Sequence, residues 1–369
     1  MSIKSTASDI KCLAFYLPQY HPIPENDQWW GKGFTEWTNV TKAMPLFEGH
    51  QQPIFPADLG YYDLRVPEVR AAQAKMAKDH GVHGFIYYHY WFGNGRQLLE
   101  RPLNDVLTSK TPDFPFCICW ANETWSGIWH GSPDKVLIRQ EYPGDEDIAL
   151  HFDYLEKLFN DDRYIKVNDC PLIIIYDGPD LPGPKEYTDK LRAEAEKRGF
   201  KGLYIIASNK SPDDWDFISD GFDGKISFAY NKLMQKFIGI SEQERKKKRQ
   251  HFFYRNRATV EKALPICLDQ RIIVDEIMFE DQQADIYPMV LPNWDNTPRS
   301  GRNGVVIQHA TPQLFEAQIC KSIDYINKRN LSERIMILKS WNEWAEGNYV
   351  EPDTRYGYAY LEVLKKWLK

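Results

Sequence analysis

The run Leu172-Ile173-Ile174-Ile175 is apolar at every position. A strand with one face in water alternates apolar and polar residues, because successive side chains point to opposite faces. A strand without that alternation must be covered on both sides, as in a parallel sheet flanked by helices. This run lies within the strand candidate Pro171–Tyr176, and similar runs recur at Cys12–Tyr20, Gly84–Phe92, Pro115–Glu123, Leu203–Asn209, Gly224–Phe228, Tyr287–Pro292 and Arg334–Ser340. Between them, apolar residues return at helical spacing over Val66–His80, Asp145–Phe159, Lys185–Arg198 and Leu314–Lys328. The alternation predicts an α/β chain, specifically a (β/α)8 TIM-type barrel closed by the Arg334–Ser340 strand. A doubly wound open sheet shares the alternation and is the rival arrangement.

Two stretches interrupt the rhythm, at about 22–62 and 229–286, the second carrying Arg245-Lys246-Lys247-Lys248-Arg249. No tandem repeat, low-complexity tract or Pro/Gly/Ser linker divides the chain, so residues 1–369 are expected to form one domain with inserted loops. The net charge of −6 gives no basis for a nucleic-acid partner. No apolar run reaches the roughly 18 residues of a spanning helix, so stable membrane insertion is not expected. The polar start, Met1 to Lys11, lacks a signal-like apolar core, and a cytoplasmic location is the expectation. Cys12, Cys117, Cys119, Cys170, Cys267 and Cys320 have no metal-ligand spacing and read as buried free thiols. The basic run reads as a solvated helix face, the alternative being a docking patch for an anionic lipid-linked saccharide.

In a barrel, functional groups collect where strands end. Polar–aromatic clusters sit there: Tyr16-Leu17-Pro18-Gln19-Tyr20-His21, Tyr88-His89-Tyr90-Trp91, Trp120-Ala121-Asn122-Glu123-Thr124-Trp125, Tyr176-Asp177, Ser208-Asn209, Tyr230-Asn231 and Asn293-Trp294-Asp295-Asn296. The eighth is Ser340-Trp341-Asn342-Glu343-Trp344-Ala345-Glu346-Gly347. Packing alone does not require Asn, His and Glu on one edge. Such residues hydrogen-bond hydroxyls, while Trp and Tyr offer flat apolar faces to sugar C–H groups. The expected carbohydrate contacts are Tyr16, Tyr20, His21, Trp30, Glu36, Trp37, Tyr88, His89, Trp91, Trp120, Asn122, Glu123, Tyr176, Asn293, Trp294, Asn342 and Trp344. Trp30, Trp37, Trp91, Trp120 and Trp344 are expected to expose ring faces to the cleft.

Phosphate-cradling glycine motifs are absent from the sequence: there is neither G-x-G-x-x-G behind the first strand nor G-x-x-x-x-G-K-[ST]. Asp214-Trp215-Asp216 matches a D-x-D triplet, which an Asp-rich chain produces by chance, and His80 and His83 lack a third ligand. Neither cofactor nor metal is expected. The candidate catalytic pair is Glu343 and Glu346, three residues apart and flanked by Trp341 and Trp344. Acid–base work on a glycosidic bond needs two carboxyl groups in different environments, and indole walls raise a carboxyl pKa. The two carboxyl pKa values are therefore expected to be pushed apart, with one above the usual range.

Several segments combine into a specific pattern: Ala14-Phe15-Tyr16-Leu17-Pro18-Gln19-Tyr20-His21-Pro22, Trp30-Gly31-Lys32-Gly33-Phe34-Thr35-Glu36-Trp37, Tyr87-Tyr88-His89-Tyr90-Trp91, Trp120-Ala121-Asn122-Glu123 and Trp341-Asn342-Glu343-Trp344-Ala345-Glu346-Gly347. Together they resemble the glycoside hydrolase family 99-like proteins, and within these the WbsX-type group of bacterial polysaccharide-biosynthesis proteins. The resemblance runs through most of the chain. It implies a metal-independent TIM barrel that cleaves within α-mannoside chains with retention. It further implies that Glu343 deprotonates the substrate 2-hydroxyl, which attacks C1 to give a 1,2-anhydro sugar, while Glu346 protonates the leaving group. Ala345 stands where family 99 enzymes commonly have His, which alters the expected aglycone contact.

A second assignment takes Asn122-Glu123 as the Asn-Glu acid/base of the large clan of retaining barrels, with Glu343 as nucleophile. That clan places its acids after the fourth and seventh strands, whereas here they follow the third and eighth, so this assignment ranks second. The leading functional expectation is a glycosidase-like enzyme acting on a bacterial polysaccharide or oligosaccharide. The alternative is a glycosyltransferase or transglycosylase of lipopolysaccharide or O-antigen biosynthesis. A non-catalytic saccharide-binding barrel is the third class, and the intact Glu343/Glu346 pair argues against it.

Overall fold

The structure is a computed structural model that describes residues 7, 9–127, 132–208, 210–212, 214–227, 229–236, 238–239, 264–279 and 284–369. Asn209, Phe228 and the Arg245–Arg249 run lie outside the described residues. Nine strand segments form the central sheet: β1 (Lys11–Tyr16), β2 (Gly84–Trp91), β3 (Phe116–Trp120), β4 (Cys170–Ile175), β5 (Tyr204–Ala207), β6 (Gly224–Ile226), β7 (Asp285–Tyr287), β8 (Met289–Val290) and β9 (Ile335–Leu338). Their order is β7-β6-β5-β4-β3-β2-β1-β9-β8, and every one of these pairings is parallel.

The two ends of that path belong to one piece of chain. Only Pro288, which has no N–H to give to a ladder, separates β7 from β8. The carbonyl of Tyr287 accepts from Ser227 N at 2.9 Å on the β6 side, and the carbonyl of Pro288 accepts from Ile337 N at 2.9 Å on the β9 side. The broken seventh strand thus completes the circuit, and the sheet is a barrel rather than the open rival. All six β4 positions except the first are buried, as its uninterrupted apolar sequence requires.

Helices α1 (Pro67–Asp79), α2 (Arg101–Ser109), α3 (Asp145–Phe159), α4 (Pro184–Lys197), α5 (Gln270–Glu276), α6 (Pro312–Asn327) and α7 (Ala359–Leu368) surround it. Prolines in the first turns of α1, α2, α4 and α6 fill positions whose N–H would have no helical partner. The Thr311 hydroxyl caps α6 by accepting from Leu314 N at 3.3 Å. Helix α3 matches its expected span and buries Ile148, Phe152, Leu155 and Phe159. Among the described residues, the β5–β6 connection holds turns in place of a helix.

The interruption near 22–62 contains two short helices, Pro24–Trp30 and Glu36–Lys42. A parallel pair, Ile266–Asp269 with Val305–Gln308, was not anticipated from the sequence. Of the cysteines, Cys12, Cys117 and Cys119 are buried free thiols, whereas Cys267 is exposed, contrary to expectation, on a two-stranded sheet covered less fully than the barrel. Among the described residues no helix is long and apolar enough to cross a membrane.

The barrel core depends on β4 being covered on both faces. Ile174, fully buried, should cost about 2–5 kcal/mol when replaced by Ala, through lost transfer energy and the cavity left behind. Guanidinium denaturation followed by far-UV circular dichroism measures this loss.

Candidate active site

The segment after β9 folds back on itself. Asn342–Glu343 pairs antiparallel with Asn348–Tyr349, and a 3-10 turn over Trp344–Glu346 joins them. Asn342 fastens this hairpin to the end of β1, accepting from Leu17 N at 2.8 Å and donating to Leu17 O at 3.1 Å. Ser340 Oγ donates to Asn348 O at 2.6 Å and accepts from Glu343 N at 3.0 Å. Gly347 closes the turn at φ 60°, where a Cβ would come within 2.9 Å of the Asp295 nitrogen. Close approach is needed because Asp295 N donates to Glu346 O at 2.6 Å.

This hairpin presents Glu343 and Glu346 at the floor of a cleft of about 720 Å³ over the C-terminal ends of the strands. Glu343 Oε2 faces Lys339 Nζ at 3.4 Å and accepts from Asn348 Nδ2 at 3.2 Å. Arg299 Nη1 donates to Glu346 Oε1 at 2.6 Å. The same guanidinium donates to Glu36 Oε1 from Nε at 2.8 Å and from Nη2. Burial pushes Glu346 up to about 7, with Arg299 opposing and Glu343 reinforcing the rise. Burial likewise raises Glu36 above the ordinary carboxyl range, against the pull of Arg299. Burial works against the Lys339 ammonium, but Glu343 and Glu346 hold it above the usual lysine range. Elsewhere in the cleft, Lys210 bridges Glu123 and, at 2.5 Å, Asp177 Oδ2 above the Tyr176 ring.

Six of the expected sugar contacts line this cleft: Trp30, Glu36, Tyr88, Glu123, Tyr176 and Trp294. Asn293 lines a second cavity of about 330 Å³ instead. Four of the five expected platform indoles are buried: Trp37, Trp91, Trp120 and Trp344. The pleat explains two of these. On β2, Tyr88 and Tyr90 point inward, so His89 and Trp91 point to the helices. His89 Nε2 lies 2.8 Å from His151 Nε2 on α3, and Trp91 stacks on His151 with ring centroids 4.4 Å apart. Burial pushes His89 down to about 3. Trp120 is also outward and donates from Nε1 to Trp91 O at 2.9 Å.

The remaining expected contacts support the rim from beneath. Tyr16 donates to Gln73 Oε1 at 2.7 Å on the helix-facing side of β1. Tyr20 donates to Asn342 O, and Trp37 Nε1 donates to Tyr62 O at 2.8 Å while packing on Trp344. His21 is buried with Nδ1 3.1 Å from Pro18 O. Asn122 joins two strand ends, donating to Asp177 O and accepting from Asp177 N, both at 2.8 Å. Trp344 stacks on Tyr349 and donates to Glu351 Oε2 at 2.6 Å.

Sequence reasoning missed Lys339, Arg299, Tyr90, Trp125 and Lys210, all of which line the cleft. Lys339 had a readable signal: a lysine two positions beyond Ile337 shares its face of β9, and a cation there needs a buried partner. Trp125 lay within a recognised cluster and packs edge-on against Tyr90. Arg299 lies within the one-turn helix Thr297–Ser300, where nothing in the local pattern marks it. Of the other residues singled out, His83 Nδ1 accepts from Cys12 N at 3.2 Å and His80 Nδ1 lies 2.7 Å from Met76 O. Among the described residues, no group of three His, Cys, Asp or Glu could hold a metal ion.

The fold is similar to those of solved glycoside hydrolases. A family 99 endo-α-mannosidase from Bacteroides thetaiotaomicron, in complex with bis-tris propane, superposes with TM-score 0.58 at 15% identity, covering 97% of this chain and 95% of that one. A protein described as glycoside hydrolase-like gives TM-score 0.58 at 13% identity, covering 100% and 96%. At these identities the likeness establishes the fold. The family profile described as "Glycosyltransferase WbsX" matches residues 12–364, and the chain belongs to that family. Two curated relatives, both "Uncharacterized protein WxcX" from Xanthomonas campestris pv. campestris, are 36% identical over 360 and 363 residues. Each match covers 96% of this chain and 49% of the relative, so the chain spans about half the length of the curated relatives it matches.

Beneath the turn, Glu351 accepts from Tyr62 OH at 2.8 Å, Gln73 Nε2 at 2.6 Å and Trp344 Nε1 at 2.6 Å. Burial outweighs these three donors and pushes it up to about 7. A carboxyl raised in the folded state binds its proton more tightly than in the unfolded chain. Its stabilising contribution is therefore full below the unfolded pKa near 4.5 and is lost as pH rises through about 7. Glu351→Gln should remove on the order of 2–3 kcal/mol of this pH dependence. Guanidinium titrations of both proteins at pH 4.5 and 7.5 measure it, and equal slopes for the two would refute it.

Proposed function

We propose that the chain is a metal-independent, retaining glycoside-active enzyme that works on a bacterial polysaccharide or oligosaccharide, with manno-configured sugars as the first class to test. One observation carries this reading: two carboxyls share the cleft floor in unlike environments. Glu343 is paired with an ammonium, and Glu346 is pushed up to about 7. A general acid works best with a pKa near the operating pH, and a pair whose environments differ divides into acid and base.

In this reading Glu343 takes the proton of the substrate 2-hydroxyl. That oxygen attacks C1, the bond from C1 to the leaving oxygen breaks, and the Glu346 proton passes to the departing oxygen. A 1,2-anhydro sugar results. Glu346, now a carboxylate, takes a proton from the incoming hydroxyl, whose oxygen opens the ring at C1 while Glu343 returns its proton to O2. Inversion at each step gives net retention. Neither acid bonds to carbon, so the carboxyl spacing rules of covalent glycosidases do not apply. Trp30, Trp125 and Trp294 offer indole faces, while Glu36, Tyr88, Glu123 and Tyr176 offer polar contacts.

Water as the incoming hydroxyl makes the reaction hydrolysis, and a sugar hydroxyl makes it transfer. The family description supports a transferase or transglycosylase of polysaccharide assembly as the second reading. Turnover of aryl glycosides without any nucleotide sugar separates a hydrolase or transglycosylase from a nucleotide-sugar transferase.

Glu346→Gln should lower turnover of poor leaving groups by about 10²–10⁴-fold and cost activated aryl glycosides far less, because their leaving oxygen needs no proton. Glu343→Gln should cripple both, since 2-hydroxyl attack cannot begin. A 2-deoxy substrate turned over as fast as its parent would remove the 2-hydroxyl from the mechanism and bring the Glu123/Glu343 pairing forward.

A further inference from the structure

Every described contact of the Glu343 carboxylate falls on one of its oxygens. Lys339 Nζ lies 3.4 Å from Oε2 and Asn348 Nδ2 donates to Oε2 at 3.2 Å. Lys339 is itself held from several sides. It donates to Tyr88 OH at 3.1 Å, and its ammonium lies 5.3 Å from the Phe15 ring centroid and 5.8 Å from that of Tyr88. Phe15 and Tyr88 stack with centroids 5.2 Å apart, so the cation rests on an aromatic shelf built by β1 and β2. The side chain is 11% exposed, a burial that lysine accepts only with a partner. Asn348 is fixed in turn, because its carbonyl accepts from Ser340 Oγ at 2.6 Å.

We infer that Lys339 is the positioning residue of the base: with Asn348 it pins Oε2 of Glu343, so that Oε1 is the oxygen presented to the substrate hydroxyl, and its charge sets the acidic limit of activity. This deepens the proposed function and rests on Glu343 being the base. Among the described residues, the charged and titratable groups facing the pair are Tyr88 and Tyr90 from β2, Cys119 from β3, Tyr176 after β4, Glu36, Arg299 and Glu346. Arg299 is bound to Glu36 and Glu346, and the tyrosines and the thiol are neutral near pH 7. Lys339 is thus the cation assigned to Glu343. The sign follows: removing it makes the carboxylate harder to form, and a base needed as carboxylate then loses activity at higher pH than before.

The first test needs no substrate. In protein labelled with ¹³C at glutamate carboxyls, the Glu343 signal is assigned by its loss in Glu343→Gln. In Lys339→Met it should move to higher pH than in the unaltered protein, because the ammonium 3.4 Å from Oε2 is gone. Lys339→Arg should bring it back. An unmoved titration overturns the inference.

The second test follows the pH profile of turnover on an aryl mannoside. Lys339→Met should move the acidic limb up by a similar amount and lower kcat with little change in KM, with Lys339→Arg restoring the limb. A rise in KM alone would mean that Lys339 grips the sugar directly, and would overturn the assignment. Should the Met variant not fold, Lys339→Gln carries both tests, having a polar donor without the charge. The inference and its premise fail separately. An active Glu343→Gln enzyme removes the base itself, whereas an inactive one beside an unshifted Lys339→Met profile removes only the role of Lys339.

Discussion

A parallel sheet closed into a barrel sends each strand residue either to the interior or to the helices, and the two-residue pleat leaves no third choice. The site depends on that division. Phe15, Tyr88, Tyr90 and Lys339 take the inner path and meet over the floor of the cleft. Tyr16, His89, Trp91 and Trp120 take the outer path and tie the sheet to α1 and α3. A shift of one residue in β2 would exchange Tyr88 and Tyr90 for His89 and Trp91. The parallel register of β2 with β1 and β3 therefore fixes which chemistry the cleft has.

The rim turn depends on a second set of contacts that never reach the cleft. Asn342 binds both backbone groups of Leu17, Glu351 gathers three donors, and Asp295 holds the Glu346 carbonyl. Asp295 is anchored by His50 at 2.9 Å and Gln52 at 2.7 Å, both contributed by the first long inserted segment. Asp295 and Gly347 also line the second cavity, so one peptide turn forms part of the wall of both. Rotamers fixed by packing and hydrogen bonding on the far side are what give two short carboxylic acids a defined aim.

The sequence made the framework legible because burial on both faces erases alternation, and that signature survives in eight places. It lost the seventh strand's break, since the candidate Tyr287–Pro292 runs straight through Pro288 and starts only where the first of its two pieces ends. The polar ends of strands were legible as a group, but the same erasure that revealed the sheet hid its phase. With apolar or aromatic residues at every position of Gly84–Trp91, nothing local says whether His89 or Tyr88 faces inward. Tryptophans beside a strand end were read as sugar platforms, yet an indole with a partner for its N–H is also good packing material. Trp37, Trp91, Trp120 and Trp344 each have such a partner. Arg299 was out of reach because its partners, Glu36 and Glu346, lie 263 and 47 residues away along the chain.

The floor of the cleft gathers three carboxyls, Glu36, Glu343 and Glu346, against two cations, Arg299 and Lys339. Charges taken out of water must be balanced, or one of them gives up its charge. A guanidinium does not deprotonate in a protein, and Lys339 is held in its charged form by its neighbours. The adjustment therefore falls on a carboxyl. Arg299 is shared between Glu36 and Glu346, while Lys339 and Asn348 both serve Glu343. One proton brings the cluster to neutrality, and burial raises both partners of Arg299, Glu36 and Glu346, the latter to about 7 on the cleft side of the rim turn. In the proposed mechanism, the proton that burial demands for charge balance is the one that Glu346 gives to the leaving group.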